Sequence, residues 1–236
     1  VFRVELRAIS PQRLRMDIGF LFDWDGVVID SHAQHEESWV LLSAEIGVPL
    51  SEGFMKQTFG MRNQNIFPMW MPHLSGNDAE IIALGNRKEE LYREILRRDG
   101  IEALPGVKKF LLAARAAGIP ASVGSSTPRK NIDTVIEMAG LEGLFEAIVS
   151  ADDVQRGKPD PEVFLKGAAK LNREPGRCVV FEDAFVGIQA GKSGGMKVVG
   201  IASTHPIEKL TEADIALHNL EGVSPVELLI RLGLST

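Results

Sequence analysis

Five short apolar runs punctuate this chain and constrain its fold more than any other feature. They are Ile18–Phe22, Ala121–Gly124, Ala147–Val149, Arg177–Phe181 and Lys197–Ile201, each ended by polar or glycine residues. Runs of this length and composition read as strands. Between them, Val107–Ala117, Arg129–Ala139, Pro161–Leu171 and Phe185–Ser193 read as helices, with Gly118, Gly140 and Gly194 where C-terminal caps are expected. Strand and helix in repetition imply right-handed crossovers and a parallel sheet covered on both faces. Ligands of such sheets bind outside the carboxyl ends of the strands.

One interval breaks the rhythm. From Ser31 to Gly100 the patterns are helical only, clearest at His32–Ile46 and at Asp78–Arg98, where Glu, Arg and Lys pair at helical spacing. The expected fold is therefore α/β: a Rossmann-like doubly wound parallel sheet, formed by residues 16–30 and 101–236, with a small α-helical cap domain inserted at residues 31–100. Met69-Trp70-Met71 reads as cap core. Residues 1–15 carry four arginines and no apolar stretch of signal-peptide length. They read as a poorly ordered extension ahead of Met16.

Bulk properties narrow the function classes. A formal charge of −6 argues against a nucleic-acid partner. It leaves room for a small anionic substrate, because a bound cation and lysines can reverse the sign locally. No apolar run approaches the roughly 20 residues of a membrane span. The one cysteine, Cys178, lies in an apolar run, so it reads as a buried, inert thiol and no intrachain disulfide can form. A reducing cytoplasm and a monomer or small homo-oligomer are expected.

Four segments carry chemistry. Asp23-Trp24-Asp25-Gly26-Val27 follows the first strand immediately, and Gly26 suggests that the chain bends there. Val179-Val180-Phe181-Glu182-Asp183 is a second strand ending in acids. In a parallel sheet both ends reach one edge, where Asp23, Asp25 and Asp183 can converge. Clustered carboxylates repel unless a cation sits among them, and oxygen ligands completed by water suit Mg²⁺. Ala121-Ser122-Val123-Gly124-Ser125-Ser126 ends a third strand with hydroxyls, and Arg156-Gly157-Lys158-Pro159-Asp160-Pro161 fixes a lysine between glycine and proline ahead of a helix. Taken singly, each segment also fits an ordinary strand end or solvated loop.

Taken together and in order, Asp-x-Asp-Gly-Val, Ser, Gly-Lys-Pro and Glu-Asp resemble the haloacid dehalogenase superfamily. The likeness is greatest to the branch of β-phosphoglucomutase and related phosphatases, and it covers Asp17 to about Gly222. The resemblance implies Asp23 as a nucleophile that becomes phosphorylated, and Asp25 as the acid–base whose backbone carbonyl also binds metal. It further implies Ser125 and Lys158 on the transferring phosphoryl group, and Asp183 with Glu182 as metal ligands. An acid at position 25 favours phosphate-ester chemistry, since halide departure needs no proton.

Substrate contacts expected on the same basis are Ser126 beside Ser125 and, from the cap, Arg62, Lys88 and His35. β-Phosphoglucomutase has an arginine where this chain aligns Asn63, with Arg62 one residue early; this weakens a mutase reading. Trp39 and His35 match both mutases and phosphatases. Gly191-Lys192-Ser193 imitates the end of a P-loop, but Val186 stands where that motif needs glycine. The leading expectation is a Mg²⁺-dependent phosphatase acting on a small phosphorylated metabolite, a sugar phosphate. A sugar-phosphate mutase is the alternative, and a non-catalytic binder of phosphorylated metabolites the remote one.

Overall fold

The computed structural model describes residues 17–58 and 61–234; the extension at residues 1–15 lies outside them. Six parallel strands form one sheet: β1 (Gly19–Phe22), β2 (Ala121–Gly124), β3 (Ala147–Val149), β4 (Cys178–Glu182), β5 (Lys197–Ile201) and β6 (Ile215–Leu217), in the order β3-β2-β1-β4-β5-β6. The first five fall where the apolar runs placed them. The sixth, Ile-Ala-Leu at the sheet edge, is three half-exposed residues, too short to stand out as an apolar run.

Four helices, α1 (His32–Ile46), α2 (Phe54–Thr58), α3 (Asn63–Trp70) and α4 (Asp78–Asp99), intervene before α5 (Val107–Ala116). The remaining helices are α6 (Arg129–Met138), α7 (Glu162–Lys170), α8 (Phe185–Ser193) and α9 (Pro225–Arg231). Side chains alternate across the sheet. Phe20, Phe22, Val179, Phe181 and Val199 pack with Phe110 of α5, Ile132 and Val135 of α6, and Leu228 and Leu229 of α9. Leu21, Val180 and Val198 face Val163, Phe164 and Ala168 of α7 and Ile188 of α8. Covering both faces explains why the central strands read as continuous apolar runs rather than alternating ones. Phe22 and Phe181 stack at 4.3 Å between centroids, so β1 and β4 meet through ring contact as well as ladder bonds. Cys178 is fully buried, and burial pushes its thiol up to about 11.

The inserted helices bury a separate cluster: Trp39 and Leu42 of α1, Phe54 and Met55 of α2, Ile66 and Phe67 of α3, and Ile81 and Leu91 of α4. Of the Met69-Trp70-Met71 trio, Met71 is buried and Trp70 half-buried against this cluster, whereas Met69 is 56% exposed. Met69 is therefore no part of that core: α3 turns it outward. Gly118 and Gly140 adopt the left-handed conformation expected of C-terminal caps, but after α8 the positive φ belongs to Gly195, one residue beyond Gly194. Among the described residues, no helix is long and apolar enough to cross a membrane.

Candidate active site

The sheet order reverses at the junction of β1 and β4, which is where a crevice opens in a doubly wound sheet. Phe22 pairs with Phe181, and the Asp23 N–H donates to the Phe181 carbonyl at 2.9 Å. This pairing carries Asp23 out beside the end of β4, where Glu182 and Asp183 follow. Beyond Asp23 the chain folds back at once: the Trp24 carbonyl accepts from the N–H of Val28 at 2.8 Å, and Gly26 takes φ +83°. Trp24 drops into the core, while the two aspartates on either side of it reach the site.

The residues join through one lysine. Lys158 Nζ donates to Asp23 Oδ1 and to Glu182 Oε1, each at 2.6 Å, and lies 4.9 Å from the Phe164 ring centroid. The peptide bond between Lys158 and Pro159 is cis. Glu182 spends its second oxygen on the backbone N–H groups of Asp183 and Ala184, both at 2.9 Å. One oxygen each from Asp23, Glu182 and Asp183 lies within 4.8 Å of the others. Three carboxylates thus face one ammonium. Burial, and then the Glu182 charge, push Asp23 well above the usual carboxylate range despite Lys158 pulling it down. Burial and Glu182 likewise raise Asp183, to about 7. Lys158 is held above its ordinary value, because its two carboxylate partners outweigh the burial that opposes its charge.

This surplus of buried negative charge fits a divalent cation, and hard oxygen donors are what Mg²⁺ selects. Asp23 and Asp183 are the side chains best placed to hold one. Glu182 belongs to the same cluster, yet both its oxygens are already engaged, so holding Lys158 is its principal contact. Two glycines make the cluster possible. A Cβ on Gly26 would stand 2.1 Å from Asp183 Oδ2, and one on Gly187 would stand 1.7 Å from Glu182 Oε1.

Asp25 belongs to a neighbouring arrangement. Its Oδ1 accepts from the Ser31 hydroxyl and its Oδ2 from Thr127 Oγ1 at 2.5 Å, so its carboxylate is taken up outside the acidic cluster. His35 Nε2 stands 3.6 Å from Oδ1. Burial alone would raise Asp25, but His35, Ser31 and Thr127 outweigh it and bring the group to about 2. Ser125 is buried at the end of β2. Its N–H donates to Val149 O at 2.9 Å, and its Oγ accepts from the Thr127 N–H at 3.0 Å. Ser126 follows it, half-buried.

The cap residues divide. Lys88 is 2% exposed, unlike an ordinary helix-surface lysine, and its Nζ stands 2.7 Å from His35 Nδ1. Since an ammonium only donates, His35 accepts at Nδ1 and presents Nε2–H toward Asp25. The imidazole also stacks on Tyr92 at 4.1 Å between centroids. Arg62 instead reaches across to the core, donating to the carbonyls of Ala151 and Gln155 at 3.2 Å each. Asn63 turns to Glu89, at 2.9 Å.

Several residues escaped the sequence reading. Ser31 and Thr127 cradle Asp25, Thr204 bonds Asp183, and Ser203 bonds the Gly26 carbonyl. Thr127 had a signal, since it closes the hydroxyl run Ser125-Ser126-Thr127 ahead of a helix. Ser203 and Thr204 follow the last residue of β5, and nothing local distinguishes them from loop hydroxyls.

Comparison with known proteins accords with this geometry. Residues 19–195 match the family described as haloacid dehalogenase-like hydrolase. Hexitol phosphatase A of Escherichia coli is 33% identical over 206 residues, which cover 87% of this chain and 93% of that protein. A chloroplastic 5-amino-6-(5-phospho-D-ribitylamino)uracil phosphatase of Arabidopsis thaliana is 31% identical over 217 residues; the match covers 89% of this chain but only 57% of the longer relative. Among solved structures, a HAD hydrolase of family IA, variant 3, from Entamoeba histolytica superposes with a TM-score of 0.80 at 27% identity, covering 92% of this chain and 99% of that one. The chain therefore belongs to the haloacid dehalogenase-like hydrolase family, among its phosphoric monoester hydrolases.

Proposed function

We propose that the protein is a Mg²⁺-dependent phosphatase that hydrolyses a small phosphate monoester, a sugar or polyol phosphate, through a phosphorylated Asp23. The observation that carries this reading is the shared grip of Lys158 on Asp23 and Glu182, with Asp183 completing an under-neutralised acidic cluster at the switch point of the sheet.

In the proposed cycle an Asp23 oxygen attacks phosphorus in line, and the bond to the leaving oxygen breaks. Lys158 neutralises the phosphoryl oxygens beside Asp23, and Ser125 and Ser126 line the same strand edge from β2. Asp23, Asp183 and the Asp25 carbonyl would hold Mg²⁺, which would supply fixed positive charge for the phosphoryl oxygens. Asp25 first gives its proton to the leaving oxygen. As a carboxylate it then takes a proton from the water that attacks the phosphoaspartate, and phosphate departs with Asp23 restored. The protein by itself holds Asp25 at about 2, in its basic form. A dianionic phosphate arriving beside it raises that value by like-charge repulsion and favours the proton uptake that the first step needs.

Hydrolysis is favoured over mutase chemistry by the placement of Arg62 and Asn63. Arg62 is committed to core carbonyls and Asn63 to Glu89, so neither supports the arginine contact expected of a β-phosphoglucomutase-type enzyme. The test is a panel of sugar and polyol phosphates in Mg²⁺, with and without chelator. Phosphate release that the chelator abolishes is the expected result. Isomerised glucose phosphate without phosphate release, given a bisphosphate primer, would replace this reading with the mutase. Binding without turnover would replace it with the non-catalytic binder.

A further inference from the structure

Glu89 is a buried carboxylate on α4 that the chemistry above does not use. Its Oε1 accepts from Asn63 Nδ2 of α3 at 2.9 Å and from its neighbour Lys88 at 3.2 Å. Its Oε2 accepts at 2.6 Å from Asn131 Nδ2, on core helix α6. The orientation of Asn131 is itself fixed. Arg93, one turn further along α4, donates to Asn131 Oδ1 at 2.7 Å, which leaves only the amide NH₂ to face Glu89. Glu89 and Asn131 are 7% and 1% exposed. Burial works against the Glu89 charge, but the Lys88 charge and the hydrogen bonds from Asn63 and Asn131 outweigh it and hold the carboxyl below its ordinary value. An unbroken polar chain thus runs from core helix α6 through Glu89, Lys88 and His35 to Asp25.

We propose that Glu89 and Asn131 are a positioning pair: their bond docks the cap helix on the core and thereby sets Lys88 and His35 against Asp25. Neither residue touches the reacting atoms. When the cap swings away, the Glu89–Asn131 bond breaks, and His35, carried on the cap with Lys88 and Glu89, leaves Asp25. Cap docking and the readiness of Asp25 are therefore one event rather than two. The alternative, a buried polar contact serving stability alone, predicts that any well-packed replacement keeps the rate.

An exchange of the two side chains separates these readings. Asn131→Asp opposes one carboxylate to another; the new group keeps the Arg93 contact but repels Glu89. Glu89→Gln alone leaves one acceptor oxygen among the Asn63, Lys88 and Asn131 donors. When the two substitutions are combined, the amide now on α4 donates to the carboxylate now on α6. The oxygen of that amide accepts from Asn63 and Lys88, and every group is partnered again. We expect each single variant to lower kcat roughly 10-fold or more, with a smaller change in KM, and the double variant to regain most of the loss. Hydrogen exchange in α4 and α6 rises in Asn131→Asp and falls back in the double variant. Single variants with wild-type kcat, or a folded double variant no better than the singles in both rate and exchange, would overturn the proposal. Its kinetic arm rests on the phosphatase reading and its exchange arm does not. A wild-type enzyme without phosphatase activity but with the expected exchange pattern would therefore sink that reading and leave the clasp standing.

Discussion

The two polar assemblies of this molecule are built on opposite principles. At the sheet edge, Asp23, Glu182 and Asp183 crowd around Lys158 alone, and burial together with the deficit of positive charge raises two of the acids. Across the cap seam, Glu89 meets Lys88 and two amides, and its charge is settled within the protein. The first arrangement is unfinished and suits a divalent cation. The second is complete, and so can hold a position. The difference follows from the elements that carry them. Adjacent parallel strands in register deliver their acids to one point and cannot spread apart, whereas helices choose their contacts by rotation and docking.

If the unfinished assembly performs the chemistry, its central residue should matter most. Asp23→Asn should lower phosphate release by about 10³-fold or more while leaving the circular dichroism spectrum unchanged, since the amide is near-isosteric but a poor nucleophile. Substantial residual turnover would remove Asp23 from its proposed role. Gly187→Ala should come next. Its methyl cannot coexist with Glu182 in the present position, so Lys158 loses an anchor and the rate should drop about 10- to 100-fold. An unchanged rate would mean that Glu182 does not need to hold Lys158.

The same contrast explains what the sequence disclosed. Asp23, Asp25, Lys158 and Asp183 sit at the ends of apolar strands or beside fixed prolines, and each is announced by its immediate neighbours. The parallel sheet then brings Asp23 and Asp183 to one edge, where Lys158 meets Asp23, whereas the Asp25 carboxylate is taken up by Ser31 and Thr127. Glu89 and Asn131 are 42 positions apart on amphipathic helices, where a glutamate or asparagine is ordinary. Lys88 was placed among substrate contacts, but its burial depends on how α4 docks, and no periodicity reports that. Arg62 was placed among substrate contacts by the family resemblance, and its carbonyl partners lie 89 and 93 residues away. Strand β6 was missed for a simpler reason, three residues at an edge without a buried face.

The cap's stability should depend on its own apolar cluster. Phe67 is fully buried and packs 5.3 Å from the Trp39 ring. Phe67→Ala should destabilise the protein by about 3–5 kcal/mol in denaturant unfolding, with any partial unfolding confined to residues of the cap cluster. A loss below about 1 kcal/mol, on the order of a surface substitution, would show that the cluster collapses to fill the space.

The unfinished site should also leave a pH signature. Asp183 is raised to about 7 and Asp23 in the same direction. A group raised on folding contributes stability that is fully present below its ordinary value of 3.8 and is lost as pH climbs through its folded value. The metal-free protein should therefore lose stability between about pH 4 and 7. Mg²⁺ binds the ionised forms, so its rise in Tm should be larger at about pH 8 than at about pH 5.5, by about 5 °C at saturating ion. Equal shifts at both values would mean that these acids are not the ligands.

The smallest effect should come from a cap contact that looks richer than the clasp. Arg87 reaches Glu45 at 2.7 Å, Glu90 at 2.7 Å and Glu94 at 3.3 Å, joining α1 to α4 on the outer surface. Its side chain is 36% exposed and its partners 41%, 57% and 53%. In that setting water and salt compete for every charge, and ordering four long side chains costs entropy. Arg87→Ala should change stability by less than about 1 kcal/mol and leave kcat unaltered. Asn131→Asp removes a single contact from the seam, yet should disturb the rate far more. If the ranking were reversed, the cap would be held by its surface charges, and burial would have lost its claim to explain which polar contacts set the position of the cap.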